Sequence, residues 1–324
     1  MDTGFTRRGV IGSLPWLALA RAARAEAADL LQEWRDPARG RTIPVRIRLP
    51  DTMPTPGAPA PVAILSHGLG GSRDGLAYLG IALAQAGFVV VHLQHHGSDS
   101  GVLRSGAGPA VAMALSVLDV RNALDRLYDV AFALDELARQ PAWRGRLDLA
   151  RAAIAGHSFG AWTVTHMLGE ALPGVALLGE GRPLALPDRR LAAGIALSPV
   201  PPLLLPARSA FARVSAPILH VTGTRDSGVV DAATPEDRTI PFHTIAAPGV
   251  LAVLAGATHA SFAGEPAAGA RWNEPTYHER TARLAVLFLR AVLWHDMAAA
   301  SLLQRGAMLA PGDRIETKGR LAGA

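Results

Sequence analysis

The sequence predicts an α/β protein with a mostly parallel central sheet, helices on both faces of the sheet and small cap insertions. Two observations support this fold class. Short apolar runs, typical of strands that are buried on both faces, recur at 61–66, 88–93, 191–197 and 217–222. Between them lie segments with helical periodicity, and 119–140 is the clearest because its apolar residues form a single stripe.

The remaining elements follow from turn signals and spacing. A hairpin is expected at 30–49, since two runs with alternating polarity flank the turn-forming residues 36–40. A helix is expected at 74–86, and Gly87 marks its end. An amphipathic helix at 277–296 completes the predicted fold.

Length and composition limit the possible classes of protein. With 324 residues, of which 49% are hydrophobic and 18% charged, the chain is long enough for one large α/β domain or two small ones and is too apolar to be disordered. No run of about 18 apolar residues occurs, so we expect no transmembrane segment. The net charge of +5 is modest and basic residues do not cluster with aromatic ones, which gives no support for a nucleic-acid partner. The absence of cysteine excludes disulfides, thiol nucleophiles and cysteine-ligated zinc.

Residues 1–25 have the features of an export signal. A pair of arginines, Arg7 and Arg8, precedes a short and moderately apolar run that ends in small residues. The segment resembles a twin-arginine signal, with cleavage expected after Ala25 or after Ala22. The alternatives are an ordinary amphipathic helix and a Sec signal in which the arginines are incidental. We therefore expect a periplasmic or secreted protein.

The strongest catalytic motif is Gly156–Gly160, with the sequence G-H-S-F-G. Apolar residues at 152–155 predict a buried strand before it, and 159–168 predict a helix after it. A serine in such a tight strand-to-helix turn adopts strained backbone angles, so the residues two positions away must lack bulk. The turn exposes the hydroxyl of Ser158, and the N–H groups of the helix face developing negative charge. Ser158 is therefore the candidate nucleophile.

A glycine-rich segment, 67–72 with the sequence H-G-L-G-G-S, follows the predicted strand at 61–66. Glycines let the backbone approach a ligand closely and direct N–H groups into a cavity. A plain glycine-rich turn is the alternative. A phosphate-binding loop is disfavoured, because no Gly-Lys-Ser/Thr sequence follows.

Two later loops, each directly after a predicted strand, contain the other candidate catalytic residues, Asp226 and His259. A histidine can accept the proton of Ser158 and return it to the leaving group. An aspartate holds the tautomer of that histidine and stabilises its charged form. Asp231 and Asp237 are competing acids, and Asp226 is favoured because it lies directly past the end of its strand. The alternatives are a turn-forming aspartate and a buried structural histidine.

Three motifs together carry a family resemblance: 67–72, the segment 94–98 with the sequence Q-H-H-G-S, and 156–160. They resemble bacterial relatives of platelet-activating factor acetylhydrolase and dienelactone hydrolase-like esterases, over about residues 40–297. Both groups belong to the α/β-hydrolase superfamily, in which serine, acid and histidine follow in this chain order. The resemblance implies a cofactor-free hydrolase of small-molecule or lipid esters, with short acyl groups or phospholipid-like substrates. The cysteine chemistry of dienelactone hydrolases proper is excluded, because the chain has no cysteine.

The resemblance also implies the surroundings of the nucleophile. The backbone N–H groups of Leu69 and Phe159 would form the oxyanion hole, and His67 would support the first loop by hydrogen bonding. We assign substrate binding to residues beside these donors: His67, Gly68, Gly70 and His157.

No metal and no cofactor is expected. Three histidines and an aspartate between positions 92 and 99 suggest a metal site at first. However, adjacent residues of an extended segment point in opposite directions, so His95 and His96 do not face one ion. Structural or pocket-rim histidines are the preferred interpretation.

We divide the chain into an export signal at 1–25, an α/β-hydrolase domain at 26–304 and a loose C-terminal tail at 305–324. The tail is expected to be loose because its residues are small, polar or glycine. Within the domain, 102–118 and 170–190 have the composition of insertions over an active site, and we expect them to select the substrate.

The sequence leaves the function open at two points. A lipase or cutinase-like polyester hydrolase is the alternative within serine hydrolases, and rates on short and long acyl chains would distinguish it. A catalytically silent binding protein with the same fold is the alternative from another class. The acyl length, the head group and the oligomeric state are not determined by the sequence.

Overall fold

The structure is a computed structural model that describes residues 29–102, 116, 119–172, 186–228, 231–265 and 274–322. The described residues form one nine-stranded sheet, in the order β1-β2-β4-β3-β5-β6-β7-β8-β9. The strands are β1 (Leu30–Asp36), β2 (Arg41–Arg48), β3 (Ala60–Ser66), β4 (Val89–Leu93), β5 (Leu147–His157), β6 (Leu191–Leu197), β7 (Ile218–Arg225), β8 (Gly249–Thr258) and β9 (Arg314–Lys318). The α-helices are α1 (Ala77–Gln85), α2 (Val120–Arg139), α3 (Phe159–Met167), α4 (Ala207–Ala210), α5 (Ile240–Thr244), α6 (Pro275–Leu293) and α7 (Met297–Gln304).

The central part of the sheet is parallel. Strands β4, β3, β5, β6, β7 and β8 pair in parallel, whereas β1 with β2, β2 with β4, and β8 with β9 pair antiparallel. Residues 89–93 and 60–66 are buried along their whole length, as strands covered by helices on both faces must be. The predicted α/β fold with a mostly parallel sheet is confirmed.

The core forms two layers, one on each face of the sheet. Ile64 and Ile154 pack in the layer that contains Leu134 of α2 and residues of α3. The next residues along the same strands, Leu65 and Ala155, pack in the layer of α1 and α6. Since successive side chains of a strand point to opposite faces, an apolar run without alternation fills both layers.

The carboxyl ends of the parallel strands meet at one edge of the sheet, and the candidate functional residues lie there. The glycine-rich loop 67–72 follows β3, Ser158 follows β5, Asp226 follows β7 and His259 follows β8. The fold thus brings together residues that are widely separated in the chain.

The expectation of a loose tail after position 304 is wrong. Strand β9 pairs antiparallel with β8, and Ile315 lies opposite Ala252. Beyond β9, Leu321 is 6% exposed and Ala322 is 4% exposed. Without β9, strand β8 would be an open edge with unpaired backbone N–H and C=O groups, and pairing with the tail satisfies them.

Several predicted segments lie wholly or largely outside the described residues. These are the export signal at 1–25 and most of the expected insertions at 102–118 and 170–190. In the part of the chain that is described, no helix is long and apolar enough to cross a membrane.

Candidate active site

Ser158 lies in a sharp turn between β5 and α3. Its backbone has φ 54° and ψ −113°, a strained conformation for a residue with a side chain. A Cβ atom on Gly160 would lie 1.9 Å from the carbonyl oxygen of Ser66, and one on Gly156 would lie 2.4 Å from the carbonyl group of Gly160. Both flanking glycines are therefore required, because α3 begins in direct contact with the backbone of β3.

Three sequence-predicted residues form one chain of hydrogen bonds. The hydroxyl of Ser158 lies 2.9 Å from Nε2 of His259, and Nδ1 of His259 lies 2.9 Å from Oδ1 of Asp226. If Asp226 is ionised, it can only accept, so Nδ1 of the neutral imidazole carries the proton and Nε2 accepts from the serine. This is the arrangement that a general base needs next to a serine nucleophile.

Asp226 is fully buried, and its second carboxylate oxygen accepts a hydrogen bond from the hydroxyl of Thr222 at 2.8 Å. Burial by itself raises the pKa of Asp226, but the hydrogen bond from His259 and the charge of Arg238 outweigh it and leave the pKa below its usual value. The carboxylate is therefore ionised near neutral pH and can stabilise a charged imidazole.

The two competing acids have other partners. Asp231 accepts two hydrogen bonds from the guanidinium of Arg238, at 2.6 and 3.0 Å. Asp237 accepts from the backbone N–H and the hydroxyl of Thr234, in a short turn on the surface. Of the three aspartates considered from the sequence, Asp226 is the one placed against His259.

The two expected oxyanion donors are backbone N–H groups of the glycine-rich loop and of the first residue of α3. Nδ1 of His67, at 2.6 Å, and the N–H of Gly71, at 3.1 Å, both donate to the carbonyl oxygen of Gly68. That carbonyl belongs to the same planar peptide as the N–H of Leu69, so the N–H is turned to the opposite side. The N–H of Phe159 is the first of α3 and directly follows Ser158. Within the described ranges, neither N–H donates to another residue.

The two buried histidines next to the site hydrogen-bond to backbone groups, which is the supporting part expected for His67. The ring of His67 donates from Nδ1 to the carbonyl oxygen of Gly68, and its Nε2 accepts a hydrogen bond from the N–H of His95 at 3.0 Å. The ring of His157 donates from Nε2 to the carbonyl oxygen of His259 at 2.9 Å. Burial, together with the neighbouring charge of His259, lowers the pKa of His157 to about 3. Both rings are buried and hold backbone groups of the site, which does not agree with direct substrate binding.

The two glycines assigned to substrate binding are half-buried in the loop. A Cβ atom on Gly68 would lie 3.0 Å from Nδ1 of His157. Gly70 has φ 77° and donates its N–H to the carbonyl oxygen of Ser98 at 2.9 Å. Both positions therefore favour glycine for close packing or for backbone angle, and their contact with substrate stays a prediction.

Glu265, which the sequence interpretation missed, connects the glycine-rich loop to the segment after His259. Its carboxylate accepts from the N–H of Ser72 at 3.0 Å and from the hydroxyl of Ser72 at 2.9 Å. Burial raises the pKa of Glu265, although the hydrogen bonds from Ser72 oppose the shift. No local motif marks such a long-range contact in the sequence.

The histidines that suggested a metal have separate partners. Nδ1 of His92 lies 3.1 Å from the carbonyl oxygen of Gly75, and Nδ1 of His96 lies 2.9 Å from the carboxylate of Asp99. His95 instead contacts one side chain of β3 and one of α2. Among the residues that the structure describes, no group of three or more potential ligands is arranged to hold a metal ion.

Comparison with known proteins gives matches to hydrolases. A model of the family described as platelet-activating factor acetylhydrolase, isoform II, matches residues 43–103, which include the glycine-rich loop. The platelet-activating factor acetylhydrolase of Cavia porcellus is 28% identical, in an alignment that covers 43% of this chain and 35% of the relative. The chain thus matches about a third of the length of that relative.

Solved structures show the same fold. A puromycin hydrolase has a TM-score of 0.52 and 20% identity, and the match covers 81% of this chain and 39% of that chain. A mutant of puromycin hydrolase complexed with PGG has a TM-score of 0.53 and 19% identity, and the match covers 82% of this chain and 39% of that chain. At this identity, the likeness concerns the fold alone.

The fold, the site geometry and these matches define the class of this protein. It has the fold of α/β-hydrolases and, at its candidate site, the serine, histidine and aspartate that serine hydrolases use. Within that class, its sequence is similar to platelet-activating factor acetylhydrolases, the description shared by the matching family and by the curated relative.

Proposed function

We propose that this protein is a serine carboxylic-ester hydrolase that forms an acyl-enzyme on Ser158. The observation that supports this most directly is the contact of 2.9 Å between the hydroxyl of Ser158 and Nε2 of His259. A serine hydroxyl is a weak nucleophile by itself and needs an adjacent base in this position.

The reaction follows from the geometry. His259 removes the proton of Ser158 as the serine oxygen attacks the ester carbonyl carbon, and the negative oxygen of the tetrahedral intermediate is stabilised by the N–H groups of Leu69 and Phe159. His259 then gives its proton to the departing alcohol, which leaves an acyl group on the serine. A water molecule, deprotonated by His259, then attacks the acyl carbon. The bond from that carbon to the oxygen of Ser158 breaks, and His259 returns the proton to the serine oxygen as the acid leaves. Asp226 stays ionised throughout and stabilises the charged imidazole.

The proposed substrates are short-acyl or phospholipid-like esters. The family match over residues 43–103 supports this class. A second observation agrees with a lipid-like substrate: in the loop after β6, the neighbour of the nucleophile strand, Leu203 is 64% exposed and Leu204 is 70% exposed. Exposed apolar side chains at this edge would equally suit a lipase or a polyester hydrolase, which is the alternative.

Two measurements test the proposal. The purified protein is expected to hydrolyse p-nitrophenyl acetate, and Ser158→Ala is expected to abolish turnover while its circular dichroism spectrum and melting temperature stay those of the wild type. A panel from acetyl to palmitoyl esters, with an acetylated phosphocholine lipid and a polyester film, then separates the substrate classes. Highest kcat/KM on acetyl esters supports the proposal, whereas a preference for long chains or film supports the alternative. Absence of any hydrolysis would support a silent binding protein.

The proposed steps use only groups of the chain itself, so we expect activity without an added cofactor and no loss of rate in a metal chelator. We also propose that the protein is exported, on the evidence of the arginine pair at positions 7 and 8. Replacing both arginines by lysine is expected to retain the protein in the cytoplasm of a host with a twin-arginine pathway. Unchanged export of that variant would point to a Sec signal.

A further inference from the structure

Arg126 of α2 is fully buried beneath the candidate active site. Its guanidinium donates to the hydroxyl of Ser66 at 2.8 Å, to the hydroxyl of Ser98 at 2.9 Å and to the hydroxyl of Thr163 at 3.0 Å. It also donates to the carbonyl oxygen of His67. Burial lowers the pKa of Arg126 to about 9, so the side chain is still charged near neutral pH.

These contacts connect both halves of the expected oxyanion hole. The carbonyl of His67 belongs to the glycine-rich loop. The hydroxyl of Ser98 belongs to a second loop, whose backbone accepts a hydrogen bond from the glycine-rich loop. Thr163 lies on α3, and the guanidinium carbon lies 4.5 Å from the ring centre of Phe159, whose N–H is the second donor. One rigid, planar cation therefore sets the position of the loop relative to the start of α3.

A second serine–histidine–aspartate chain extends from this cation. The hydroxyl of Ser66 lies 3.0 Å from Nε2 of His95, and Nδ1 of His95 lies 2.9 Å from the carboxylate of Asp129. All three side chains are buried, and the serine oxygen already accepts from Arg126. No substrate can reach that oxygen, so this chain is not a second catalytic centre.

An arginine lies at each end of this chain of hydrogen bonds: Arg126 donates to Ser66 and Arg41 donates to Asp129. Burial alone would raise the pKa of Asp129, but hydrogen bonds from His95 and Arg41 lower it to about 2. Burial and the charge of Arg126 lower the pKa of His95 to about 4, so its ring is neutral and its Nε2 accepts a hydrogen bond from the hydroxyl of Ser66. Arg39 also donates to Asp129, at 2.8 Å, so the carboxylate is compensated without Arg126.

The same network orients the first oxyanion donor. The N–H of His95 donates to Nε2 of His67, which obliges Nδ1 of His67 to carry the proton that it donates to the carbonyl oxygen of Gly68. That carbonyl lies opposite the N–H of Leu69 in one peptide plane. A shift of His95 or of the His67 backbone would therefore rotate the Leu69 donor away from the oxyanion.

We propose that Arg126, acting with Ser66, His95 and Asp129, is the positioning group of the oxyanion hole. It touches neither substrate nor the reacting atoms, and it acts by fixing the directions of the Leu69 and Phe159 N–H groups. The proposal rests on the proposed esterase function.

The test compares an ester with its thionoester, in which sulfur replaces the carbonyl oxygen. A thiolate-like sulfur is a poor hydrogen-bond acceptor, so the thionoester gains less from the oxyanion donors. For Arg126→Met and for the milder Ser66→Ala, kcat on p-nitrophenyl acetate is expected to fall about 10- to 100-fold with KM nearly unchanged. The ratio of ester to thionoester rates is expected to fall by about the same factor. A merely structural defect would lower both rates equally.

Arg280→Met is the matched control. This substitution removes an arginine that pairs with Asp313 at 2.5 Å, far along the chain from the oxyanion loop, and it should leave the rate ratio unchanged. Folded Arg126→Met and Ser66→Ala proteins with the wild-type ratio would overturn the proposal. If Arg126→Met does not fold, Ser66→Ala decides. Failure of the wild type to react with a fluorophosphonate would instead overturn the esterase function itself.

Discussion

Nδ1 of His259 lies 2.9 Å from Oδ1 of Asp226, and this carboxylate is fully buried between β7 and the turn after β8. The contact distinguishes Asp226 from the two other acids of the same loop. Asp231 is engaged by Arg238, and Asp237 caps a turn on the surface. The histidine therefore has one oriented carboxylate partner, which fixes its tautomer.

Replacing this carboxylate by an amide is expected to disable the base. Asp226→Asn keeps the shape of the side chain but removes its charge and allows the wrong tautomer of His259. The expected fall in kcat is about 10³- to 10⁴-fold, as for other triads of this kind. The control is Asp237→Asn, whose carboxylate is exposed, and its rate should stay within about twofold of the wild type. Equal losses in both variants, measured with p-nitrophenyl acetate, would contradict the assignment of the acid.

Gly160, two residues after the nucleophile, should tolerate no side chain. A Cβ atom on Gly160 would lie 1.9 Å from the carbonyl oxygen of Ser66, a backbone atom of a central strand. Gly160→Ala is therefore expected to lose activity and about 2 kcal/mol or more of unfolding free energy. Gly57→Ala is the matched control, because nothing lies within 4 Å of the added atom. Urea denaturation of the two variants measures the difference, and similar stabilities would show that α3 does not begin where the structure has it.

A buried histidine makes the stability depend on pH. Burial, together with the charge of Lys318, lowers the pKa of His220 to about 3. Neither ring nitrogen has a partner in hydrogen-bonding geometry among the described residues. Between an unfolded pKa of about 6.5 and the folded value, only the unfolded state is protonated, so stability falls as the pH falls through this window.

His220→Leu is expected to flatten that dependence. At neutral pH the variant should gain about 1 kcal/mol, because an unsatisfied buried polar group is removed. Near pH 5 the gain should increase by about 2 kcal/mol, the proton-linked cost that the leucine does not have. Unfolding free energies from urea titrations at both pH values measure this difference. The exposed His243 provides the control, and His243→Leu should not change it. An unchanged pH slope in His220→Leu would show that the ring is protonated in the folded state.

The nucleophile could be predicted from the sequence because its signal is local. A strand, a turn bracketed by Gly156 and Gly160, and a helix follow one another directly between positions 147 and 167. Asp226 and His259 could be predicted because parallel strands end at one edge of a sheet. Choosing among three aspartates required the contact itself, since spacing alone does not show which carboxylate faces the histidine.

The hydrogen-bond network of Arg126 was not predicted, because it depends on the burial of a charged side chain. The stripe of α2 was interpreted as an ordinary core face, although Arg126 lies one helical turn before Val130 and on the same face. That position is a signal for a buried arginine, but its four partners come from β3, from two loops and from α3. Likewise, β9 could not be predicted from its own short polar sequence, because its place depends on β8 being at the edge of the sheet.

Reaction with a fluorophosphonate tests the central claim most directly. The account predicts a single covalent adduct per chain, which peptide mapping by mass spectrometry places on Ser158, and a loss of ester hydrolysis in proportion to the adduct. Ser158→Ala should form no adduct and should show no turnover. Full ester hydrolysis by the modified protein, or an adduct on another residue with Ser158 intact, would contradict the account.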